Sequence, residues 1–194
     1  MNTTVDPTVV LVPGLAPTTV DHWQYLLAQR LPKARIVEPP AHAPLSREAR
    51  TAALGATVSA IAGPVVLVAH SAGVLTTVHW AQQPTRPILG ALLATPPDFE
   101  LPLPEGFPSR GELERHGWNT IPRQRLPFPS IVAASTNDAL ASFRRVAGMA
   151  EAWGARLVDL GPVRHLNPAS GFGHWPDAEG FVNDLSRTQA APAD

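Results

Sequence analysis

The stretch Val65–Gln83, VVLVAHSAGVLTTVHWAQQ, changes its periodicity once, and the change falls on a serine. Val65 to Ala69 is short, uninterrupted and β-branched, the pattern of a strand buried on both faces, whereas Val74 and Val78 begin a helical period that runs to Pro84. Ser71 is the hinge. In an open α/β sheet ligands collect beyond the carboxyl ends of the strands, and a sharp strand-to-helix turn there pushes its central side chain into the cleft. Such a turn needs small neighbours, because the two backbones nearly touch, and Ala69, Ala72 and Gly73 supply them. The segment reads AxSxG where a nucleophile elbow usually reads GxSxG. Serine is also a preferred helix N-cap, so this stretch alone leaves Ser71 open between cap and nucleophile.

Outward from this hinge, short apolar runs alternate with helix-period stretches. Val9–Val12, Arg35–Val37, Val65–Ala69, Ile88–Ala94, Ser130–Ala134 and Arg156–Leu160 read as six strands of a mostly parallel sheet with helices on both faces. Trp23, Leu27 and Leu31 recur at helical spacing until Pro32. Leu54, Val58 and Ile61 form a stripe that follows a cap at Ser46 and closes at Gly63 and Pro64. Phe143, Val146, Ala147 and Trp153 form another, with Gly154 placed to take the left-handed residue past the helix end. Phe181, Val182 and Leu185 belong to a last helix after Pro176 and Asp177. One segment breaks this rhythm: Thr95–Pro129 holds eight of the chain's 22 prolines, too many missing amide donors for a regular helix or an inner strand. Its aromatic and leucine content makes it an ordered, irregular cap, here taken as 95–129. The whole of 1–194 is expected to be one domain, with a flexible polar tail at 187–194.

Composition removes several function classes. The chain of 194 residues has no cysteine, which rules out a thiol nucleophile, a cysteine-based zinc site and a disulfide framework. A formal net charge of −1 with no block of Lys or Arg argues against a nucleic-acid partner or an anionic membrane surface. No apolar run reaches the 18 or so residues of a membrane span, and no basic region precedes the first apolar run. These features point to a cytoplasmic protein. VPGLAPTT after the first strand lacks the GxGxxG of a dinucleotide site, and no histidine pair has metal-ligand spacing, so neither cofactor nor metal is expected.

A nucleophilic serine needs a base within hydrogen-bond reach and a carboxylate that orients the base. On an α/β hydrolase sheet these follow in the order Ser, Asp or Glu, His, each after a different strand end. Asp138 stands just beyond the fifth strand, in ASTNDALASF, where a turn or cap role would also account for it. After the sixth strand the chain offers His165 and His174. His165 lies in the loop just past the strand and is the better positioned. Asp98, after the fourth strand, is an alternative acid. Asp159 lies within a strand, and His22, His79 and His116 read as structural or surface residues. His42 is left open.

These residues carry a resemblance. VVLVPGLAPTTVDHWQYLLAQRLPKARIVE, GPVVLVAHSAGVLTTVHWA, GALLATPPD, LPFPSIVAASTNDALASF, AWGARLVDLG and HLNPASGFGHWPD lie in order along the chain and together resemble the RBBP9/YdeN-type serine hydrolases of the α/β hydrolase superfamily. The likeness runs from about Val9 to Leu185 and implies a compact α/β hydrolase fold, with Ser71 as nucleophile, Asp138 as acid and His165 as base. It departs from the family at Arg164, where a glycine is common. The negative oxygen of a tetrahedral intermediate needs donors, and the backbone N–H groups of Ala72 and Leu15 are the candidates, with Gly14 permitting the close approach. Gly14, Phe99 and Trp118 are the expected substrate contacts, for a small-molecule acyl substrate, an ester or related bond with a modestly sized apolar acyl group. A monomer or weak homodimer is expected. The competing class is a protein-binding member of the fold whose chemistry has become irrelevant.

Overall fold

A computed structural model describes residues 6–16 and 19–187. Of the expected tail, residues 188–194 lie outside the described residues. Six strands, β1 (Thr8–Val12), β2 (Ala34–Ile36), β3 (Val65–His70), β4 (Gly90–Ala94), β5 (Ser130–Ala134) and β6 (Arg156–Asp159), form one sheet in the order β2-β1-β3-β4-β5-β6. Every pairing is parallel, where the alternation of runs had suggested only a mostly parallel sheet. β3, β4 and β5 are buried at every residue, which is why their sequences read as unbroken apolar runs rather than alternating ones. The fourth strand is shorter than its apolar run. It starts at Gly90, where a Cβ would meet Pro129 O at 2.7 Å and Leu185 at 2.8 Å.

Alternate strand residues serve opposite faces. Val10, Val12, Leu67 and Ala69 pack with α2 (Arg47–Ser59), α3 (Ala72–Trp80) and α5 (Phe143–Trp153), while Val9, Leu11, Val66 and Val68 pack with α1 (Trp23–Arg30) and α6 (Asp177–Arg187). Each fully buried aliphatic side chain of these faces is worth about 1.5–3 kcal/mol. The helix ends follow local chemistry. Ser46 Oγ accepts from Ala49 N–H, and Gly154 takes the left-handed conformation (φ 65°) past α5.

The 95–129 segment is ordered but not wholly irregular, since it contains a short helix, α4 (Arg110–Arg115), between Pro108 and Pro122. Ser109 caps it by accepting from Glu112 N–H. Two tryptophans tie the segment to its surroundings: Trp118 Nε1 donates to Leu45 O, in the loop before α2, and Trp153 Nε1 of α5 donates to Pro122 O, both at 2.7 Å. An ion cluster completes the attachment, with Arg145 of α5 bonded to Asp98 and Glu100, and Arg123 bonded to Glu100. The sheet order reverses between β1 and β3, so the loops after these two strands diverge and open a crevice at their carboxyl ends.

Candidate active site

Ser71 joins β3 to α3 with φ 56° and ψ −130°. For a residue with a side chain this backbone costs about 1–3 kcal/mol. The turn is held on both sides, by Ser71 N–H donating to Ala94 O at 3.0 Å and Ser71 O accepting from Val74 N–H at 2.9 Å. The hydroxyl makes no capping bond to α3. It faces the imidazole of His165 instead, with Oγ 2.8 Å from Nε2. The small residues around the turn have the purpose read from the sequence: a Cβ on Gly73 would lie 2.1 Å from Val12 O, and one on Gly14 would lie 3.1 Å from Ser71 Cβ. Ala69 stands where a glycine is usual without disturbing the strand, being paired in register with Val12 and fully buried.

His165 Nδ1 lies 2.7 Å from Asp138 Oδ2, and Asp138 Oδ1 accepts from Leu140 N–H at 2.9 Å. One carboxylate oxygen of Asp138 thus holds the turn and the other faces the imidazole. The loop that carries His165 has two left-handed residues, Arg164 (φ 51°) and Leu166 (φ 48°), so the position where the family commonly has glycine keeps a glycine-like backbone without one. Among the bonds that hold this loop are Arg164 N–H to Asn137 Oδ1, His165 N–H to Ser170 Oγ, and His70 Nε2 to His165 O at 2.9 Å. A carbonyl only accepts, so His70 carries its proton on Nε2. Neither His70 nor Asn137 was singled out from the sequence. Their partners lie 95 and 27 residues away, and only the position of His70 beside Ser71 hinted at a role.

The remaining candidates separate cleanly. Asp98 is buried and bonded twice to Arg145, at 2.6 and 3.1 Å, so its carboxylate is committed to the cap rather than to a histidine. Asp159 accepts from Gly161 N–H, and His42, His116 and His174 are exposed. His79 packs edge-on to Trp118 beneath the cap. His22 caps α1, its Nδ1 accepting from Gln24 N–H, and its ring also forms part of the cleft wall. Trp118, expected to touch substrate, does not reach the cleft. Only 2% exposed, it stands edge-on behind Phe99, which does line it.

The serine hydrolase family model matches residues 9–184. A YdeN-like hydrolase from Pectobacterium atrosepticum is 30% identical over 93% of this chain and 90% of its own, with a TM-score of 0.77. The chain belongs to the YdeN-type serine hydrolase family. The ydeN gene product of B. subtilis superposes with a TM-score of 0.76 at 21% identity, over 93% of this chain and 98% of its own. Est1E from Butyrivibrio proteoclasticus, at 10% identity and a TM-score of 0.65 over 97% and 89% of the two chains, shares the α/β hydrolase fold. No curated protein matches.

In this serine hydrolase the crevice above Ser71 has a volume of about 510 Å³, within the usual range for small-molecule sites. Among the described residues its walls carry no Lys, Arg, Asp or Glu. Leu15, Leu45, Phe99, Leu103 and Phe107 make it apolar, and His22, His70, Ser71 and Asn167 supply polar groups. Among the described residues no group of three or more His, Asp or Glu side chains could hold a metal ion, and no helix is long and apolar enough to cross a membrane.

The histidines of the hydrolase give it a pH-dependent stability. Burial pushes His22 down to about 4 and His79 down to about 4, and it pushes His70 well below the ordinary histidine value of 6.5. All three are neutral in the folded chain and take up protons near pH 6.5 when unfolded, so stability is full above 6.5 and falls as the pH drops towards 4. The urea midpoint is expected to fall already between pH 6.5 and 5, before the carboxylates titrate. His22→Asn, which keeps a capping acceptor for α1, should flatten part of that slope. A midpoint constant over this interval in the parent protein would contradict the assignment of neutral buried imidazoles.

Proposed function

We propose that this hydrolase cleaves a small, uncharged carboxylic ester through an acyl-enzyme on Ser71. The observation that carries the reading is the unbroken relay from Ser71 Oγ to His165 Nε2 at 2.8 Å and from His165 Nδ1 to Asp138 Oδ2 at 2.7 Å. Oγ attacks the acyl carbonyl as His165 takes its proton, and Asp138 keeps the imidazole in the Nδ1–H tautomer and stabilises the imidazolium. The carbonyl oxygen becomes an oxyanion. Ala72 N–H, at the start of α3, and Leu15 N–H, in the loop after β1, are its donors; among the described residues neither has a backbone acceptor. Collapse of the intermediate expels the alkoxide, which takes the proton from His165. Water, deprotonated by the same imidazole, then releases the acid and restores Ser71.

The substrate class follows from the walls of the crevice. With no ionised side chain among the described wall residues to pair with, a charged acyl group would be desolvated without compensation, whereas Phe99, Leu103 and Phe107 offer apolar surface to a hydrocarbon chain. A fluorophosphonate probe is expected to label the parent protein and not Ser71→Ala. In a series of p-nitrophenyl esters, kcat/KM should rise from acetate to a medium-length acyl chain and fall at least about fivefold for the hemisuccinate, one unpaired polar or charged group in such a wall costing about 1–3 kcal/mol. Labelling that persists in Ser71→Ala would end the assignment of the nucleophile. Rates indifferent to the acyl group would end that of the substrate.

A further inference from the structure

Arg50 is a cation where a cation is costly. It projects from α2, is 4% exposed, and no carboxylate pairs with it among the described residues. Its partners are three carbonyl oxygens: Nη2 donates to Pro13 O and Gly14 O, each at 2.7 Å, and Nη1 donates to Pro44 O at 3.1 Å. Nε is buried without a partner among the described residues. Burial lowers the guanidinium to about 10, which leaves it charged at neutral pH. A tie between a helix and a loop could be made by a neutral amide. A desolvated ion without a counter-ion costs several kcal/mol unless something else offsets it.

The two short bonds fall on the loop that passes the nucleophile. Gly14 is so close to Ser71 that a Cβ there would lie 3.3 Å from Oγ. The carbonyl of Gly14 and the N–H of Leu15 belong to one trans peptide plane and point in opposite directions. With the oxygen drawn to Arg50, the N–H is turned away from α2. The same pull polarises the peptide and makes its N–H a stronger donor.

We propose that Arg50 is a positioning residue of the oxyanion hole: by holding Pro13 O and Gly14 O it aims Leu15 N–H at the carbonyl oxygen of the substrate, and its charge is balanced when that oxygen becomes an anion. The inference rests on the reading of Ser71 as nucleophile and of Leu15 N–H as oxyanion donor. It accounts for a buried charge without a counter-ion, because the missing negative charge exists only in the tetrahedral intermediate. It also places the effect on the transition state rather than on ground-state binding.

Arg50→Met should lower kcat by about 10²-fold, the loss typical of one oxyanion donor, with KM changed by less than about threefold. Arg50→Lys, which keeps the charge but cannot span both carbonyls, should lose about tenfold. Two ketones separate aim from mere folding. An alkyl trifluoromethyl ketone adds Ser71 Oγ to its carbonyl and mimics the oxyanion, whereas its unfluorinated counterpart binds as a neutral ketone. Across the parent, Arg50→Lys and Arg50→Met, the affinity for the fluorinated ketone is expected to fall in proportion to kcat/KM while that for the plain ketone stays constant. Retention of kcat within threefold in both variants would overturn the proposal, as would an equal loss of affinity for both ketones. Should Arg50→Met fail to fold, Arg50→Lys and Arg50→Gln carry the same comparison. A parent protein that hydrolyses no ester and binds neither ketone more tightly than Ser71→Ala does would instead bring down the esterase reading, and this inference with it.

Discussion

His165→Ala is expected to lower kcat on an activated ester by about 10⁶-fold, Ser71→Ala by about as much, and the double variant by no more than either alone. On the proposed mechanism one proton is shared between the two. With Oγ and Nε2 at 2.8 Å, attack and proton removal are a single event, and a nucleophile without its base gains nothing from being retained. Asp138→Asn should stop short of this, at about 10⁴-fold, because the amide keeps the turn bond to Leu140 N–H but offers the imidazole an NH2 group or a neutral oxygen. The residual rate, about 10³-fold over water, would be the work of the oxyanion donors. Steady-state hydrolysis of p-nitrophenyl butyrate by the two single variants and the double variant, each checked for native circular dichroism, decides the matter. Losses that multiply in the double variant would mean that Ser71 and His165 act separately, and the relay would have to be abandoned.

The second large effect concerns stability. Gly73→Ala places a methyl group 2.1 Å from Val12 O, 2.7 Å from Val12 C and 2.8 Å from Pro13 O. No rotamer can relieve this, since all three atoms are backbone of β1 and its following loop. Either α3 withdraws from β1 or the loop shifts. The cost is expected to reach about 3 kcal/mol, the upper part of the range for an overpacked core, or roughly 10 °C in Tm for a chain of this size. Because the displaced loop also carries Leu15, activity should fall further than the loss of folded protein explains. Thermal unfolding and kcat per folded molecule test the two parts, and a Tm within 2 °C of the parent would show that β1 and α3 are not in the contact described.

Much of this was legible in the chain. The hinge at Ser71 could be read because strand, turn and helix are local features: a β-branched run, three small residues and a 3.6-residue period all act within about ten positions. The caps at Ser46 and Gly154 are local for the same reason. Asp138 and His165 were expected from chain order and from their loops past the fifth and sixth strands, and parallel connections bring those loops to one rim, where the two side chains lie 2.7 Å apart. The cap at 95–129 was recognised as ordered from its aromatic residues, but composition could not say which ring faces the crevice. Phe99 does, and Trp118 stands behind it. A helix within that segment escaped notice because the prolines around it dominated the reading, although 109–121 contains none.

The sequence by itself determined the alternation of strands and helices of a mostly parallel sheet, the sharp turn at Ser71 and the small residues that permit it, since each rests on local propensity or on the sterics of closely packed backbone. Tertiary structure alone decided how the hinge is equipped. His70 reaches the loop of residue 165, Asn137 ties the loops after β5 and β6, and Arg50 holds the carbonyls of Pro13 and Gly14 from a helix 36 residues further on. A hydrogen bond or a buried charge has no periodicity and leaves no trace in the spacing of residues. Its partner is chosen by which strand ends the sheet brings together.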